Sequence, residues 1–178
     1  MAKNKIAKEI LEWALTIIIP VVAALLIHQY LFTFARVDGT SMLDTLHENN
    51  IMGVSRLHYR LNEPQRGEII TCNYPGEGNK LFVKRIIGLP GETIEIIENR
   101  VYIDGERLEE DYETTNIDDV GVVDGELKLA GDEYFVLGDN RENSEDSRNA
   151  DVGNVKREYI YGKAWFVVSP SEHFGFVN

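Results

Sequence analysis

An uncharged, strongly apolar stretch near the amino terminus is the feature that most constrains this chain. The stretch runs from Trp13 to Phe34, "WALTIIIPVVAALLIHQYLFTF", and contains no Asp, Glu, Lys or Arg. A helix of this length, at a rise of about 1.5 Å per residue, extends about 33 Å, which is enough to cross the hydrocarbon core of a bilayer. The sequence therefore predicts a membrane anchor over residues 13–34, in which Pro20 is tolerated as it is in other membrane helices.

The residues around this stretch predict its orientation. Lys3, Lys5 and Lys8 precede it, and the positive-inside rule places such residues in the cytoplasm. Residues 1–12 are thus predicted to be cytoplasmic, and residues 35–178 to form an extracytoplasmic domain. A cleaved secretion signal is the alternative, but its apolar region spans about 7–15 residues and ends at small residues. The longer run with an aromatic end favours an uncleaved anchor.

Beyond residue 40 the apolar residues follow a period of two, which is typical of β-strands. Segments such as "GEIITCNY", "KLFVKRIIG" and "DEYFVLG" are rich in Ile, Val, Tyr and Phe and are separated by Gly, Pro, Asn and Asp. Asp104-Gly105 is typical of a type I′ hairpin turn. Because no long amphipathic helix is evident here, the fold class is predicted as mainly β: an antiparallel β-sheet ectodomain preceded by one transmembrane helix.

Composition narrows the partners and cofactors. The segment Glu109–Ala130 is acidic, with Lys128 as its only lysine, and is interpreted as a solvent-exposed excursion or small subdomain. The net charge of −12 argues against nucleic-acid binding and against broad adhesion to anionic lipids. Cys72 is the single cysteine, so an internal disulfide and a multi-cysteine metal site are excluded. The histidines lack metal-ligand spacing, and no metal or cofactor is predicted.

A serine lies in a polar turn shortly after the anchor, in "DGTSMLDTLHENN". Ser41 is followed by Met42 and Leu43, which we interpret as exposed apolar residues in contact with the lipid surface. A serine hydroxyl is a poor nucleophile until a base removes its proton, and no His-Asp pairing is evident. Serines are common in turns, so this turn by itself favours a structural role.

The segment "NKLFVKRIIGLPGET" offers a candidate base. In a strand, Phe82, Lys84 and Ile86 share one face, so large apolar groups flank the lysine while Arg85 points away. Burial disfavours the ammonium form and lowers the pKa, as a lysine base requires. A lysine at the sheet rim, with its ammonium in water, is the more common arrangement, and the pattern alone favours it.

A third segment, "LGDNRENSEDSRNADVG", reads as a strand that runs into a loop dense in Asp, Asn, Ser and Arg. Composition supports a solvated turn and a functional loop equally. In the functional interpretation, Ser144 orients the Lys84 amine by a hydrogen bond. Asp146 and Arg148 then form an ion pair that braces the loop.

Together, "GTSMLDTL", "FVKRIIGLPGE" and "GDNRENSEDSR" resemble the serine, lysine and third motifs of bacterial type I signal peptidases, or leader peptidases. The resemblance covers essentially the whole chain, and its motif order and spacing are similar to the single-anchor enzymes of Gram-positive bacteria. It implies an antiparallel β-sheet ectodomain of signal-peptidase type in the bacterial cell membrane. The implied activity is that of a serine endopeptidase that removes N-terminal signal peptides from secreted preproteins. The implied partners are those signal peptides and the lipid bilayer.

The resemblance also implies residue roles. Ser41 is expected to be the nucleophile and Lys84 the general base of a Ser-Lys dyad. Ser144 matches the position that hydrogen-bonds the lysine, and Asp146 and Arg148 match the bracing ion pair.

The substrate-facing groups follow from the same resemblance. The backbone N–H of Ser41 and a group from the preceding turn would form the oxyanion hole, with Gly39 where some relatives have a serine. The substrate is expected to lie extended along Phe82–Ile86 by β-augmentation, in contact with Phe82 and Val83. Small residues, chiefly alanine, are expected at its −1 and −3 positions.

One residue departs from the family pattern, because Asp44 replaces the usual proline. An aspartate can cap the segment "TLHE", whereas a carboxylate close to Lys84 would stabilise the ammonium and weaken the base. Two alternative functions stay open. One is a catalytically inactive membrane protein that binds extended peptides, which Asp44 alone favours. The other is a Ser-Lys regulatory autoprotease, whose relatives carry a DNA-binding domain that this sequence lacks.

Overall fold

A computed structural model describes residues 2–74 and 80–177 of the chain. The predicted domain boundaries also include Met1, residues 75–79 and Asn178, which lie outside the described residues.

The amino-terminal apolar stretch lies in a helix, α1 (Ala2–Tyr30), which contains Pro20. The helix ends before the predicted end of the anchor, because Phe32 to Phe34 belong to a strand, Phe32–Arg36. Apolar side chains along α1, such as Trp13 and Ile17, are exposed. Within the part of the chain that the structure describes, no helix is both long enough and apolar enough to qualify as a membrane span.

Twelve strands, one further α-helix, α2 (His58–Leu61), and three short 3-10 helices (Arg141–Asn143, Arg157–Tyr159 and Ser171–His173) follow α1 in the described residues. The strands are β1 (Phe32–Arg36), β2 (Ile51–Ser55), β3 (Ile69–Asn73), β4 (Leu81–Gly88), β5 (Thr93–Ile97), β6 (Arg100–Ile103), β7 (Glu106–Arg107), β8 (Leu127–Lys128), β9 (Glu133–Leu137), β10 (Val155–Lys156), β11 (Ile160–Ser169) and β12 (Gly175–Phe176). All of their recorded pairings are antiparallel. The prediction of a mainly antiparallel β fold is therefore confirmed.

The strands form two sheets. The larger sheet has the order β1-β2-β11-β3-β4-β9-β10, with β12 paired to β11, and the smaller has the order β7-β6-β5-β8. Asp104 and Gly105 join β6 to β7 with φ values of 50° and 83°. These positive values are what a type I′ turn requires, and the hairpin prediction is confirmed.

The apolar residues of the ectodomain pack into three clusters. Neighbouring strand residues enter different clusters because successive side chains point to opposite faces of a sheet. Ile70 thus packs in one cluster and Ile69 in another. The third cluster includes Ile117 and Val123 from the acidic segment, packed with Phe135. The acidic segment is therefore anchored by buried apolar residues, although most of its carboxylates are exposed as predicted.

Candidate active site

The serine turn, residues 39–46, is held at the edge of the larger sheet. Before the turn, the Val37 N–H donates to the Asn50 carbonyl at 2.8 Å. Within it, the Leu46 N–H donates to the Met42 carbonyl at 2.7 Å. Gly39 enters the turn with a φ of 93°, a conformation that side chains disfavour. This backbone places Ser41 at the surface of a cleft.

Burial of Met42 anchors the turn. Its side chain is only 1% exposed and packs with Leu46 and Met52 in an apolar cluster. The prediction that Met42 is exposed to lipid is therefore wrong, because the tight turn directs this side chain into the core beside Ser41. Leu43 is half-buried.

Lys84 lies opposite Ile70 in the β3–β4 pairing and is 3% exposed. Its Nζ donates a hydrogen bond to Ser41 Oγ at 2.8 Å. Burial lowers the pKa of Lys84, and the negative charge of Asp146 opposes part of that shift. The structure thus encloses the amine instead of leaving it in water at the sheet rim. A buried amine that loses its proton readily and contacts a hydroxyl is chemically suited to act as a general base.

The third motif forms a loop, residues 138–148, that lies directly against the serine turn. The Asn140 N–H donates to the Ser41 carbonyl at 3.1 Å. Gly138 permits this approach, because a Cβ at that position would lie 2.3 Å from both the Ser41 carbonyl oxygen and Ser144 Oγ. Any side chain here would therefore displace either the loop or the serine turn.

Ser144 and the Asp146–Arg148 pair occupy different parts of this loop. Ser144 lines the same cleft as Lys84, but its Oγ is buried with no hydrogen-bond partner among the described residues. The expected hydrogen bond from Ser144 to Lys84 is thus not formed, and the Lys84 amine bonds to Ser41 Oγ.

The expected ion pair between Asp146 and Arg148 is present. Arg148 Nε lies 2.8 Å from Asp146 Oδ1, and Nη2 lies 2.9 Å from Oδ2. The same carboxylate accepts the Gly138 N–H at 3.1 Å. The ion pair therefore ties the two ends of the loop together.

A second buried ion pair beside the site was missed by the sequence reasoning. Arg85 donates to Asp139 through Nε at 2.9 Å and Nη2 at 2.7 Å, and both side chains are at most 1% exposed. Thr45 Oγ1 in the serine turn donates to the same carboxylate at 2.5 Å. The available signal was an aspartate placed directly after the buried strand β9, two residues beyond Leu137.

Asp44 has neither of its two anticipated effects. Residues 45–48 form no helix, so the predicted helix cap is wrong. The charges that act most strongly on the Lys84 pKa are those of Asp146, Cys72, Glu145 and Arg148, and Asp44 is not among them. The Asp44 side chain is exposed, and the Leu43–Asp44 peptide bond is cis.

A cleft of about 550 Å³ opens over the dyad and is lined by residues 36–42, 80–84 and 142–145. Phe82 and Val83 form part of its wall. On one edge β4 pairs with β3, and on the other β9 occupies Arg85, Ile86 and Gly88. Among the described strands, none pairs with the remaining stretch, 81–84, on that second edge. The end of the predicted docking strand Phe82–Ile86 is therefore covered, because β9 pairs with Arg85 and Ile86.

Within residues 2–74 and 80–177, no group of three or more His, Cys, Asp and Glu side chains is arranged to hold a metal ion.

The chain is similar in sequence to known proteins of one family. A family model described as "Signal peptidase, peptidase S26" matches residues 10–169. Signal peptidase I of Bacillus amyloliquefaciens is 41% identical over 94% of this chain and 94% of its own length. Signal peptidase I S of Bacillus subtilis is 40% identical over 92% of this chain and 91% of its own length. A crystal structure of a signal peptidase I from Enterococcus faecalis is 36% identical, with a TM-score of 0.48, and covers 57% of this chain and 97% of that chain.

Proposed function

Because the chain belongs to the signal peptidase family, peptidase S26, we propose that it removes signal peptides from secreted preproteins with Ser41 as nucleophile and Lys84 as general base. Membership of the family supports a serine endopeptidase that cleaves signal peptides. One observation carries the residue assignment: the buried Lys84 amine lies 2.8 Å from Ser41 Oγ. The same contact favours an active enzyme over an inactive peptide-binding protein.

The reaction proceeds through an acyl-enzyme. The neutral Lys84 amine takes the proton from the Ser41 hydroxyl as Oγ attacks the carbonyl carbon of the scissile bond. The resulting ammonium protonates the leaving amine, and the mature protein departs. Lys84, again neutral, then takes a proton from a water molecule that attacks the acyl carbon. As the ester bond breaks, the Lys84 ammonium returns this proton to Ser41 Oγ, which releases the signal peptide and restores both the hydroxyl and the neutral amine.

The oxyanion is bound by backbone groups of the serine turn. The Ser41 N–H makes no hydrogen bond to any described residue, so it is available to the oxyanion. Gly39 opens the preceding turn toward the cleft, with no atom within 4 Å of where its Cβ would lie. We expect the second donor of the oxyanion hole to come from this turn. A donor aimed at the developing negative charge lowers the barrier by about 3–4 kcal/mol.

The third-motif loop supports the dyad. Asp146 and Arg148 fix its conformation through their buried ion pair. The unpartnered hydroxyl of Ser144 is assigned to hold the Lys84 amine once Ser41 Oγ has become acylated and no longer offers its proton. This would keep the base oriented for the water that completes the reaction.

The substrate lies extended along the open edge of β4 at residues 81–84. Backbone hydrogen bonds to this edge give affinity, and alternate side chains face the cleft wall formed by Phe82 and Val83. Met42 lines the cleft beside Ser41 but is only 1% exposed, and Leu43 does not line the cleft, so the apolar contacts of the substrate are assigned to Phe82 and Val83. This restricted apolar surface fits small residues, chiefly alanine, at the −1 and −3 positions.

The enzyme is placed in the cell membrane as a single-pass protein. Support comes from the uncharged run of α1 and from Lys3, Lys5 and Lys8 before it, which assign the amino terminus to the cytoplasm and the catalytic domain to the outside. Exposed aromatic residues continue from the end of α1. Phe32 lies next to Trp165, which contacts Phe176 in turn. These rings replace Met42 as the surface assigned to the lipid interface.

The test is cleavage of a preprotein by the full chain in vesicles or detergent. Ser41→Ala and Lys84→Ala are each expected to reduce cleavage by about 10⁴-fold, because each removes one half of the reacting pair. The wild-type rate should rise with pH as Lys84 loses its proton, at lower pH than for an exposed lysine, since burial lowers its pKa. Failure of the wild type to cleave, or full activity of either variant, would refute the assignment.

A further inference from the structure

The acidic segment, Glu109–Ala130, contacts the third-motif loop at both of its ends. At the start of the loop, the Thr115 N–H donates to the Asp139 carbonyl at 3.2 Å, and Thr115 Oγ1 accepts the Glu142 N–H at 3.1 Å. At the end of the loop, the Val122 N–H donates to the Arg148 carbonyl at 2.9 Å. The loop is therefore held from outside as well as by its own ion pair.

The two backbones approach each other closely at Gly121. A Cβ at this position would lie 2.0 Å from the Arg148 carbonyl oxygen, and the φ of Gly121 is 58°. Arg148 Nη1 also donates to the Asp119 carbonyl at 3.2 Å. Both ties connect the acidic segment to the arginine that pairs with Asp146.

Glu110 differs from most carboxylates of the segment because its side chain is only 16% exposed. It forms an ion pair with Arg141, whose own side chain is 1% exposed, and accepts a hydrogen bond from Tyr112 Oη at 2.8 Å. Arg141 Nε donates to the Gly138 carbonyl at 2.9 Å. Glu110 thus neutralises the cation that holds the glycine packed against Ser41.

The loop passes this restraint on to the serine turn. Asn143 Nδ2 donates to Thr40 Oγ1 at 2.8 Å, and Asn140 Nδ2 donates to the Thr40 carbonyl at 3.1 Å. Together with the bond from Asn140 to the Ser41 carbonyl, these contacts fix the residue before the nucleophile and the nucleophile itself. A shift of the loop would therefore move Ser41 relative to Lys84.

We propose that Glu110 is a positioning residue of the peptidase: by holding Arg141, it keeps the third-motif loop against the serine turn and Ser41 Oγ within reach of Lys84. This inference rests on the proposed function and assigns a role to the acidic segment within it. Glu110 does not line the cleft over Ser41 and Lys84, and its path through Arg141 and the loop leads to Ser41, so we expect its contribution in kcat and not in KM.

The experiment compares Glu110→Gln with Glu109→Gln in the full chain. Both substitutions remove one negative charge, but Glu109 is exposed and pairs only at 3.8 Å with Arg107 on the surface. Glu110→Gln is expected to lower kcat by about 10- to 100-fold, because small displacements of reacting groups cost rates of this order, with KM within about twofold of wild type. Glu109→Gln is expected to match the wild type in both constants.

Tyr112→Phe supplies a milder variant, because it removes only the hydroxyl that donates to Glu110 and keeps the aromatic ring stacked on Arg85. We expect kcat to fall by about 2- to 10-fold, the range for one lost hydrogen bond. Circular dichroism at the assay temperature establishes that each variant is folded, and activity is expressed per folded molecule. If Glu110→Gln does not fold, the Tyr112→Phe result decides.

The outcomes separate this inference from the proposed function. An unchanged kcat in folded Glu110→Gln, a rise in KM alone, or an equal loss in Glu109→Gln would each overturn the positioning role while leaving the dyad intact. Cleavage that persists without Lys84 would instead remove the proposed function.

Discussion

The two faces of strand β4 carry adjacent buried cations that the protein treats in opposite ways. On one face, Lys84 contacts Ser41 and is surrounded by apolar residues such as Ile70 and Ile86. On the other, Arg85 forms a bidentate ion pair with Asp139 and stacks on the Tyr112 ring at 3.8 Å. Lys84 is buried without a direct ion pair among the described residues, which lowers its pKa, whereas the Arg85 guanidinium has a carboxylate partner.

This difference teaches how one strand can supply both a reactive group and a rigid support. Lysine responds to burial by losing its proton, but arginine remains protonated and has to be paired. Thr45 in the serine turn also donates a hydrogen bond to Asp139, so the face of β4 that carries Arg85 (the charged face) holds this turn in place. The face that carries Lys84 (the neutral face) contacts Ser41 of the same turn. The distinction between the two faces can be tested by substitutions on each.

The largest effect on stability is expected from removing the Arg85–Asp139 ion pair of the charged face. Asp139→Asn removes the carboxylate that neutralises Arg85, and should lower the free energy of unfolding by about 3–5 kcal/mol, as measured by urea denaturation. The double variant Arg85→Met plus Asp139→Leu should recover most of that loss, because no buried charge is left.

The control for the charged face is Glu63→Gln, which breaks an exposed ion pair with Arg157. A loss of at most about 1 kcal/mol is expected there. If Asp139→Asn lowered the free energy of unfolding no more than Glu63→Gln does, the Arg85–Asp139 pair would not stabilise this part of the protein.

A smaller effect, on catalysis, is expected at Gly138. This residue precedes Asp139, the partner of the charged face, and packs against Ser41, the contact of Lys84. Gly138→Ala should reduce kcat/KM by about 10²-fold, because the added methyl group displaces either the loop or Ser41. Gly131→Ala is the matched control, since a Cβ there would meet no atom within 4 Å. Equal activity of the two variants would contradict the close packing.

The smallest effect on stability is expected from removing the Lys84 amine on the neutral face. Because burial lowers the folded-state pKa of Lys84, the unfolded chain binds more protons at neutral pH, and stability rises with pH up to the unfolded value of about 10.4. Lys84→Met should therefore stabilise the inactive protein by about 0.5–2 kcal/mol at pH 7, and this gain should shrink as the pH approaches that value.

Urea denaturation at several pH values measures this gain, with the exposed Lys156 as the control position. Lys156→Met should show no comparable pH-dependent gain. A gain for Lys84→Met that did not change with pH would mean that packing, and not the removal of a buried amine, stabilises the variant.

Local pattern was sufficient for several features of the fold. The period of two predicted the strands and placed Lys84 on the same face as Phe82 and Ile86, because alternation of side chains is a property of the strand itself. The turn chemistry of Asp104-Gly105 predicted its hairpin for the same reason. The ion pair of Asp146 and Arg148 could be predicted because its partners are two residues apart in sequence.

Features that depend on distant partners were predicted less well. Met42 was assigned to lipid because its turn closely follows the predicted anchor, yet the core that covers it comes from β2, β3 and β11. The predicted docking strand extended two residues too far at its end, since only the sheet order reveals that β9 covers Arg85 and Ile86. The acidic segment was interpreted from charge, which did not reveal that Ile117 and Val123 anchor it.

The sequence by itself determined which residue types stand on each face of each strand and which short motifs carry the candidate serine and lysine. Only the tertiary structure decided that Lys84, 43 positions from Ser41, touches it, and that Arg85, 54 positions from Asp139, is neutralised by it. The physical reason is that period and turn chemistry act over a few residues. Burial, charge pairing and pKa depend instead on whichever distant segments pack around a side chain.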